Sequence, residues 1–315
     1  MSRTAHEWDS GYHAPALVDE VVALLGGSAL ALDGTLGGGG HSAALLHAGC
    51  EKVIGVDRDP DALAEAARRL AGEASTGRFI AYQGNYAALE RIPALDALRF
   101  NGILLDLGIS SHQIDDAARG FSFREGAPLD MRMGFDAAER AADLLNEADE
   151  ERLTHVFHDF GDEPRAGRLA REVLKRRMTR PFETSDDFVG AIRGAFGARS
   201  GAPEFARLFQ ALRIAVNDEL AGLARALPDL KNRLAPGGTL AVIAYHSGED
   251  RLVKHAFRAW SEDCICPPRH PMCTCGGNRS EGTVRTRRAL TASAGEVAHN
   301  PRARSARLRA WQGNA

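Results

Sequence analysis

The chain has no apolar run approaching the ~20 residues of a bilayer crossing, which excludes a membrane-spanning helix. Its start, Met1 to Asp9, is polar and lacks the apolar core of a signal peptide. Neither charge dominates: 39 Lys plus Arg stand against 42 Asp plus Glu, a net of −3. A global basic field for nucleic acid is therefore absent, and a polyanion would be met by local patches. Cysteine is scarce, with five residues, four of them crowded into Cys264, Cys266, Cys273 and Cys275. That distribution excludes a secreted disulfide framework and suits a metal or redox role in a reducing compartment. A soluble, cytoplasmic protein is expected. The 315 residues, 44% hydrophobic and 26% charged, are ample for a packed core in one large domain or two smaller ones.

Residues 29–33 form a short apolar run ending in Asp33, followed at once by the glycine-rich loop Gly34 to Gly40 and a helix over 42–48. A second strand, 52–57, ends in Asp57. Asp59 and Pro60 then supply an N-cap and a first-turn proline for a helix to Leu70. Strands follow at 78–83 and 101–107, and this rhythm predicts a parallel sheet with right-handed crossovers. The next strand, 239–245, comes only after a helix exit marked by Pro236, Gly237 and Gly238. A structureless loop over the 133 positions from Asp106 to Thr239 is improbable on physical grounds. The intervening sequence forms helices at 136–157, 162–178, 184–197 and 204–234. We expect an α/β core built from 1–113 and 206–315, with a helical, substrate-recognising insertion over 114–205.

Strand, acid, glycine loop and helix is a nucleotide-binding arrangement, because the loop lets a ligand approach the backbone and the helix offers free N–H groups. Asp57 stands where a carboxylate accepts ribose hydroxyls. A nicotinamide dinucleotide expects Gly-x-Gly-x-x-Gly, whereas here Ser42 replaces the third glycine. S-adenosylmethionine carries no pyrophosphate, and Asp33, Asp57 and Asp106 together favour it.

Longer motifs run in order: Asp33 to Ser42, Gly55 to Pro60, Ile103 to Ser111, Arg119 to Phe123, Pro128 to Met133, Phe209 to Leu220, Tyr245 to Arg251 and Asn300 to Arg309. This series closely resembles the bacterial 16S ribosomal RNA cytosine-N4-methyltransferases, the RsmH or MraW family, from about His13 to Arg309. The resemblance implies a Rossmann-like class I S-adenosylmethionine-dependent methyltransferase core with an inserted helical domain. It implies methylation of one cytidine in the decoding region of 16S rRNA. Carried over by position, the cofactor residues are Gly39, Gly40, His41, Asp57, Tyr86, Asp106 and Gln113. Tyr86 and Tyr245 stand where relatives commonly have Phe, and Gly248 where they commonly have Leu.

Cytosine N4 is a poor nucleophile, since its lone pair is delocalised into the ring. The enzyme must hold N4 in line with the methyl group and accept a hydrogen bond from its N–H. His246 and Ser247, just past the last strand, are the catalytic candidates, with Asp106 and Ser110 as alternatives. The plainer reading of His246 is that it ties down its loop through Glu249, Asp250 and Arg251. No cysteine lies in a catalytic motif, which argues against covalent attack on the pyrimidine ring.

Two arginine-dominated stretches, Arg165 to Arg180 and Arg285 to Arg309, are read as phosphate contacts. Phe121 and Phe123, with Arg119 and Arg132, fit either stacking on a flipped base or packing beneath the insertion. Met131 and Met133 read as packing. The low net charge favours the assembled small subunit over naked RNA as partner. The spacing Cys264-x-Cys266-x6-Cys273-x-Cys275 supplies four thiolates for a structural zinc bracing a loop beside the RNA, the alternative being free thiols or a redox-labile pair. Cys50, alone after a helix, reads as a small buried hydrophobe.

Overall fold

Thirteen α-helices, five short 3-10 or π turns and seven strands account for the regular structure among the described residues. The computed structural model describes residues 8–10, 12, 14–264, 266 and 272–315. Two compact units form, one from Met1–Gly108 with Gly222–Ala315, the other from Ile109–Ala221.

The first unit is a seven-stranded sheet in the order β3-β2-β1-β4-β5-β7-β6. Its strands are β1 (Leu30–Asp33), β2 (Lys52–Asp57), β3 (Phe79–Gln83), β4 (Phe100–Asp106), β5 (Leu234–Ala244), β6 (Gly282–Val284) and β7 (Arg307–Gly313). β1 to β5 run parallel, while β7 lies antiparallel between β5 and β6. Side chains alternate between faces, so each apolar run feeds two cores. Ala31, Val53, Leu104, Ala241 and Ile243 pack with α1 (Val18–Leu25), α2 (Gly40–His47) and α3 (Pro60–Arg69). Leu32, Ile54, Ile103, Leu105, Leu240 and Val242 fill the opposite face, with residues 223–230 and with Val253 and Phe257. α3 starts as the sequence predicts: the Asp59 side chain accepts from Asp61 N at 3.1 Å, with Pro60 at the first helical position. The short α4 (Ala71–Ser75) leads to β3.

The second unit holds α5 (Ser111–Asp115), α6 (Ala141–Glu147), α7 (Glu150–His155), α8 (Ala166–Arg177), α9 (Ser185–Phe196) and α10 (Ala202–Asn217). An aromatic chain centres its core: Phe157 stacks on Phe188 at 5.8 Å, and Phe188 meets Phe209 at 5.3 Å. The unit is wider than the expected 114–205. Phe205, Leu208, Phe209 and Leu212 of α10 are buried in this helical core, so residues 206–221 pack here and not with the sheet.

Other expectations change as well. The single helix over 204–234 breaks at Asp218, whose φ of 53° ends α10 before α11 (Glu219–Asn232) begins. The proline-glycine turn is no helix exit but an excursion within β5. The partner steps from Phe100 to Gly102 while β5 steps from Leu234 to Thr239. Only the end of the basic stretch Arg285 to Arg309 is strand: from Arg307 it enters β7, in which Leu308 and Ala310 point into the core. After β5 come α12 (Ser247–Trp260) and, before β7, α13 (Ala294–His299).

Candidate active site

Parallel pairing in register brings three carboxylates to the carboxyl ends of neighbouring strands, Asp33 on β1, Asp57 on β2 and Asp106 on β4. Asp33 is buried; it accepts from Ser42 Oγ at 2.8 Å and from Thr35 N at 3.4 Å. Burial raises its pKa, opposed by His41 and the Ser42 hydroxyl. Asp57 sits at the rim, with Gly37 N donating to Oδ2 at 2.7 Å and Asp59 N to Oδ1 at 2.9 Å. Burial pushes its pKa up to about 6, against the pull of those amides. Asp106 is pushed to about 7 by burial, held back by the Tyr245 hydroxyl, which donates to Oδ1 at 2.9 Å.

His41 links the loop to this group. Its Nε2 lies 2.9 Å from the Ala16 carbonyl. A carbonyl only accepts, so Nε2 carries the proton and Nδ1 is left as an acceptor when the ring is neutral. Nδ1 faces Asp106 Oδ2 at 3.6 Å. Burial lowers the His41 pKa, opposed by the charge of Asp33. A bare nitrogen facing a carboxylate favours a protonated Asp106, in line with its raised pKa. Thr35 Oγ1 accepts from Asp106 N at 2.6 Å and fixes the end of β4.

Glycine is required in the loop for close packing. A Cβ on Gly39 would lie 3.2 Å from Leu70 and 3.3 Å from Ala66, at a φ of +75°. One on Gly40 would meet Pro15 Cγ at 2.8 Å. Tyr86 opens a 3-10 turn after β3, capped by Asn85, and stands beside the same loop, 3.3 Å from where a Gly34 Cβ would lie. Gln113 belongs to the helical unit. There its Oε1 accepts from Ser110 N at 3.0 Å while Ser110 Oγ accepts from Gln113 N at 3.2 Å, closing a capping box.

His246 is the residue preceding α12 and Ser247 its exposed first residue. Buried Glu249 anchors the junction, its Oε2 accepting from Tyr245 N at 2.9 Å and His246 N at 3.3 Å. Glu249 Oε1 lies 3.2 Å from His246 Nε2 without a hydrogen-bond alignment. His246 is thus braced by Glu249 at the tip of β5, as the plainer sequence reading expects, and it stands on the edge of the sheet where Asp106 ends. Residue types alone give no signal for the Tyr245–Asp106 contact, which joins two strand tips that only the fold brings near, whereas Glu249, three residues after His246, caps the helix locally.

The basic stretches are less free than their composition suggests. Arg177 donates to the carbonyls of Leu145 and Ala148 at 3.3 and 2.7 Å, satisfying the end of α6. Arg171 pairs with Glu150, Arg176 with Glu172, and Arg165 with Glu163. Arg309 makes a two-pronged pair with Asp250 at 2.6 and 3.1 Å. Arg168 and Lys175 on the helical unit, and Arg287, Arg288, Arg304 and Arg307 on the other, are exposed with no ion pair among the described residues. Phe121, 9% exposed, belongs to the helical core, whereas Phe123 is 38% exposed and packs edge-on against Phe205 and Phe209. Met131 and Met133 are core residues, their backbone held by Asn217. The thiols of Cys264, Cys266, Cys273 and Cys275 converge, their Sγ atoms all within 4.8 Å of one another. Their loop leaves the far end of α12, a helix of 14 residues and so about 21 Å long. It joins the sheet at the edge opposite the strand tips, which is not where a brace beside the reacting base is expected.

An open sheet with this strand order, a reversed β7 and acids at the tips of its first, second and fourth strands defines a Rossmann-like class I methyltransferase fold. The profile of the MraW methylase family matches residues 10–314, and the chain belongs to that family. It is 59% identical over 301 residues to a protein of Gemmatimonas aurantiaca named ribosomal RNA small subunit methyltransferase H, covering 96% of this chain and 95% of that one. Proteins of the same name from Heliobacterium modesticaldum and Anaeromyxobacter sp. (strain K) are 46% and 47% identical, each match covering at least 95% of both chains.

Proposed function

We propose that this protein methylates 16S rRNA, transferring the methyl group of S-adenosylmethionine to the exocyclic N4 of a cytidine in the decoding region. The observation carrying this reading is the row of carboxylates at the strand tips, with Tyr245 and His246 just past β5. Three acids at one edge repel the pyrophosphate of a dinucleotide and favour a cationic sulfonium nucleoside. The names of the relatives support ribosomal RNA as substrate. Family resemblance supports cytosine N4.

The donor supplies an electrophilic methyl group. Asp57 retains lone pairs beyond those used by Gly37 and Asp59 and binds the ribose hydroxyls. Gly39, Gly40 and His41 shape the loop, Tyr86 offers an aromatic face to the adenine, and Asp106 completes the pocket on the sheet unit, while Gln113 is assigned to the donor by family resemblance alone. His246, steadied by Glu249, accepts the N4 proton, with Ser247 beside it. Asp106 is the second candidate acceptor on a specific observation: its pKa of about 7 leaves an ionised fraction at neutral pH, hydrogen-bonded by Tyr245, that can take the N4 proton.

The partner is 16S rRNA within the assembled small subunit, contacted by the unpaired cations. Incubation with isotopically labelled donor and small subunits lacking the modification, then digestion to nucleosides, is expected to give labelled N4-methylcytidine. Label on ring carbon or ribose, or none at all, would overturn the reading.

A further inference from the structure

The loop between α12 and β6 has an architecture that its own packing does not explain. No described residue from Glu262 to Ser280 is buried, so the described part of the loop has no apolar core. Its ends are nevertheless pinned: Glu281 N donates to Trp260 O at 2.8 Å and Arg279 N to Asp263 O at 3.3 Å. Between these pins four cysteine side chains turn towards one point. The Sγ separations are 3.6 Å for Cys264–Cys273, 3.5 Å for Cys273–Cys275 and 3.6 Å for Cys264–Cys275.

We propose that Cys264, Cys266, Cys273 and Cys275 form a structural zinc site that staples this loop. A tetrahedron with zinc–sulfur bonds of about 2.3 Å has edges of about 3.8 Å, close to the separations seen. A disulfide requires about 2.05 Å, well short of them. A multi-iron cluster interposes its own sulfides and drives the thiolates further apart. Exposed thiols gain little from one another, since S–H is a weak donor and no apolar burial rewards the clustering. A divalent ion offsets the entropy of bringing four side chains together, and all-thiolate donors select zinc over the harder cations.

Outer contacts fit a charged thiolate. Thr274 N donates to Cys266 Sγ at 3.3 Å, the hydrogen bond that steadies a thiolate ligand. Gly276, Gly277 and Asn278 follow Cys275 with φ of 83°, 63° and 54°, turning the chain back from the cluster. Arg279 Nε reaches the Cys275 carbonyl at 3.3 Å and places a cation beside the net negative site. All four positions are filled by protein, so the ion is closed to substrate and serves the fold, stapling a loop whose described residues bury no core.

The test is metal analysis of the full chain, purified under reductant from zinc-replete medium without chelator. About one equivalent of zinc per chain is expected. Cobalt added to the metal-free reduced protein should give the absorption of tetrahedral thiolate ligation. The double variant C273S/C275S should lose both the metal and the cobalt spectrum, while binding S-adenosylhomocysteine within about twofold of wild type, because the loop lies away from the strand tips. Faster proteolysis within 262–280 should accompany metal loss. Zinc below about a tenth of an equivalent, with no uptake by the reduced protein, would overturn the proposal. So would an intact mass showing two disulfides in protein handled under reductant, or undiminished metal in the double variant.

Discussion

Replacing Asp57 by asparagine isolates what its charge contributes. In the free protein the carboxylate accepts two backbone amides, from Gly37 at 2.7 Å and Asp59 at 2.9 Å. The carboxamide keeps one acceptor oxygen and turns an NH2 group towards the other amide, losing one charge-assisted bond of about 1.5–3 kcal/mol. Against this stands the cost of holding a partly buried charge. The rise in pKa from 3.8 to about 6 corresponds to about 3 kcal/mol. For an acid whose folded pKa is raised, that stability is present below 3.8 and lost as pH rises through about 6. That shift is already net of the amide bonds, so at pH 7.5 the variant escapes the penalty and Asp57→Asn folds with a melting temperature no lower than wild type. Donor binding has no such compensation. Loss of a charged acceptor for ribose hydroxyls costs about 1.5–3 kcal/mol, a ten- to roughly hundredfold weaker Kd. Calorimetric titration with S-adenosylhomocysteine reads this directly, and the gap between the proteins should narrow as pH falls through about 6. A folded variant binding within twofold of wild type at pH 7.5 would refute the assignment of Asp57 to the donor pocket.

Ser42→Ala removes the hydroxyl donor of buried Asp33 and should lower stability by about 1–3 kcal/mol near neutral pH. Thermal unfolding should show that cost shrinking as pH falls through about 6, where the folded Asp33 carboxyl takes up a proton and no longer needs a donor. The double reversal R287E/R288E should leave donor affinity and melting temperature unchanged but weaken binding to small subunits. It should reduce the salt dependence of that binding by about one to two ions, and an unaltered salt slope would remove these residues from the RNA surface. Arg177→Ala should behave oppositely, destabilising the helical unit by about 1–3 kcal/mol through the orphaned Leu145 and Ala148 carbonyls, with RNA affinity of the folded protein retained.

Signals carried by neighbours in the chain were legible before any fold was known. The run into Asp33, the cap at Asp59 and Pro60 and the apolar strands β2 to β4 depend on contacts a few residues apart, and so do the helices of the inserted unit, although the one expected over 136–157 divides at Ala148 and Asp149 into α6 and α7. The spacing of the four cysteines is equally local, and their sulfurs meet. Contacts between distant segments were invisible. Asp218 breaks a helical run because of a left-handed backbone that its neighbours do not demand, and α10 joins the helical unit because its phenylalanines are buried there. Arg309 resembles part of a phosphate-binding tail until β7 pairs with β5 and Asp250 captures it. Charge type along a chain says which groups seek partners, but which partner each finds follows from strand order and register. The same register sets Asp106 between Tyr245 and His41, and burial at that point makes an ordinary aspartate a group that ionises near neutrality.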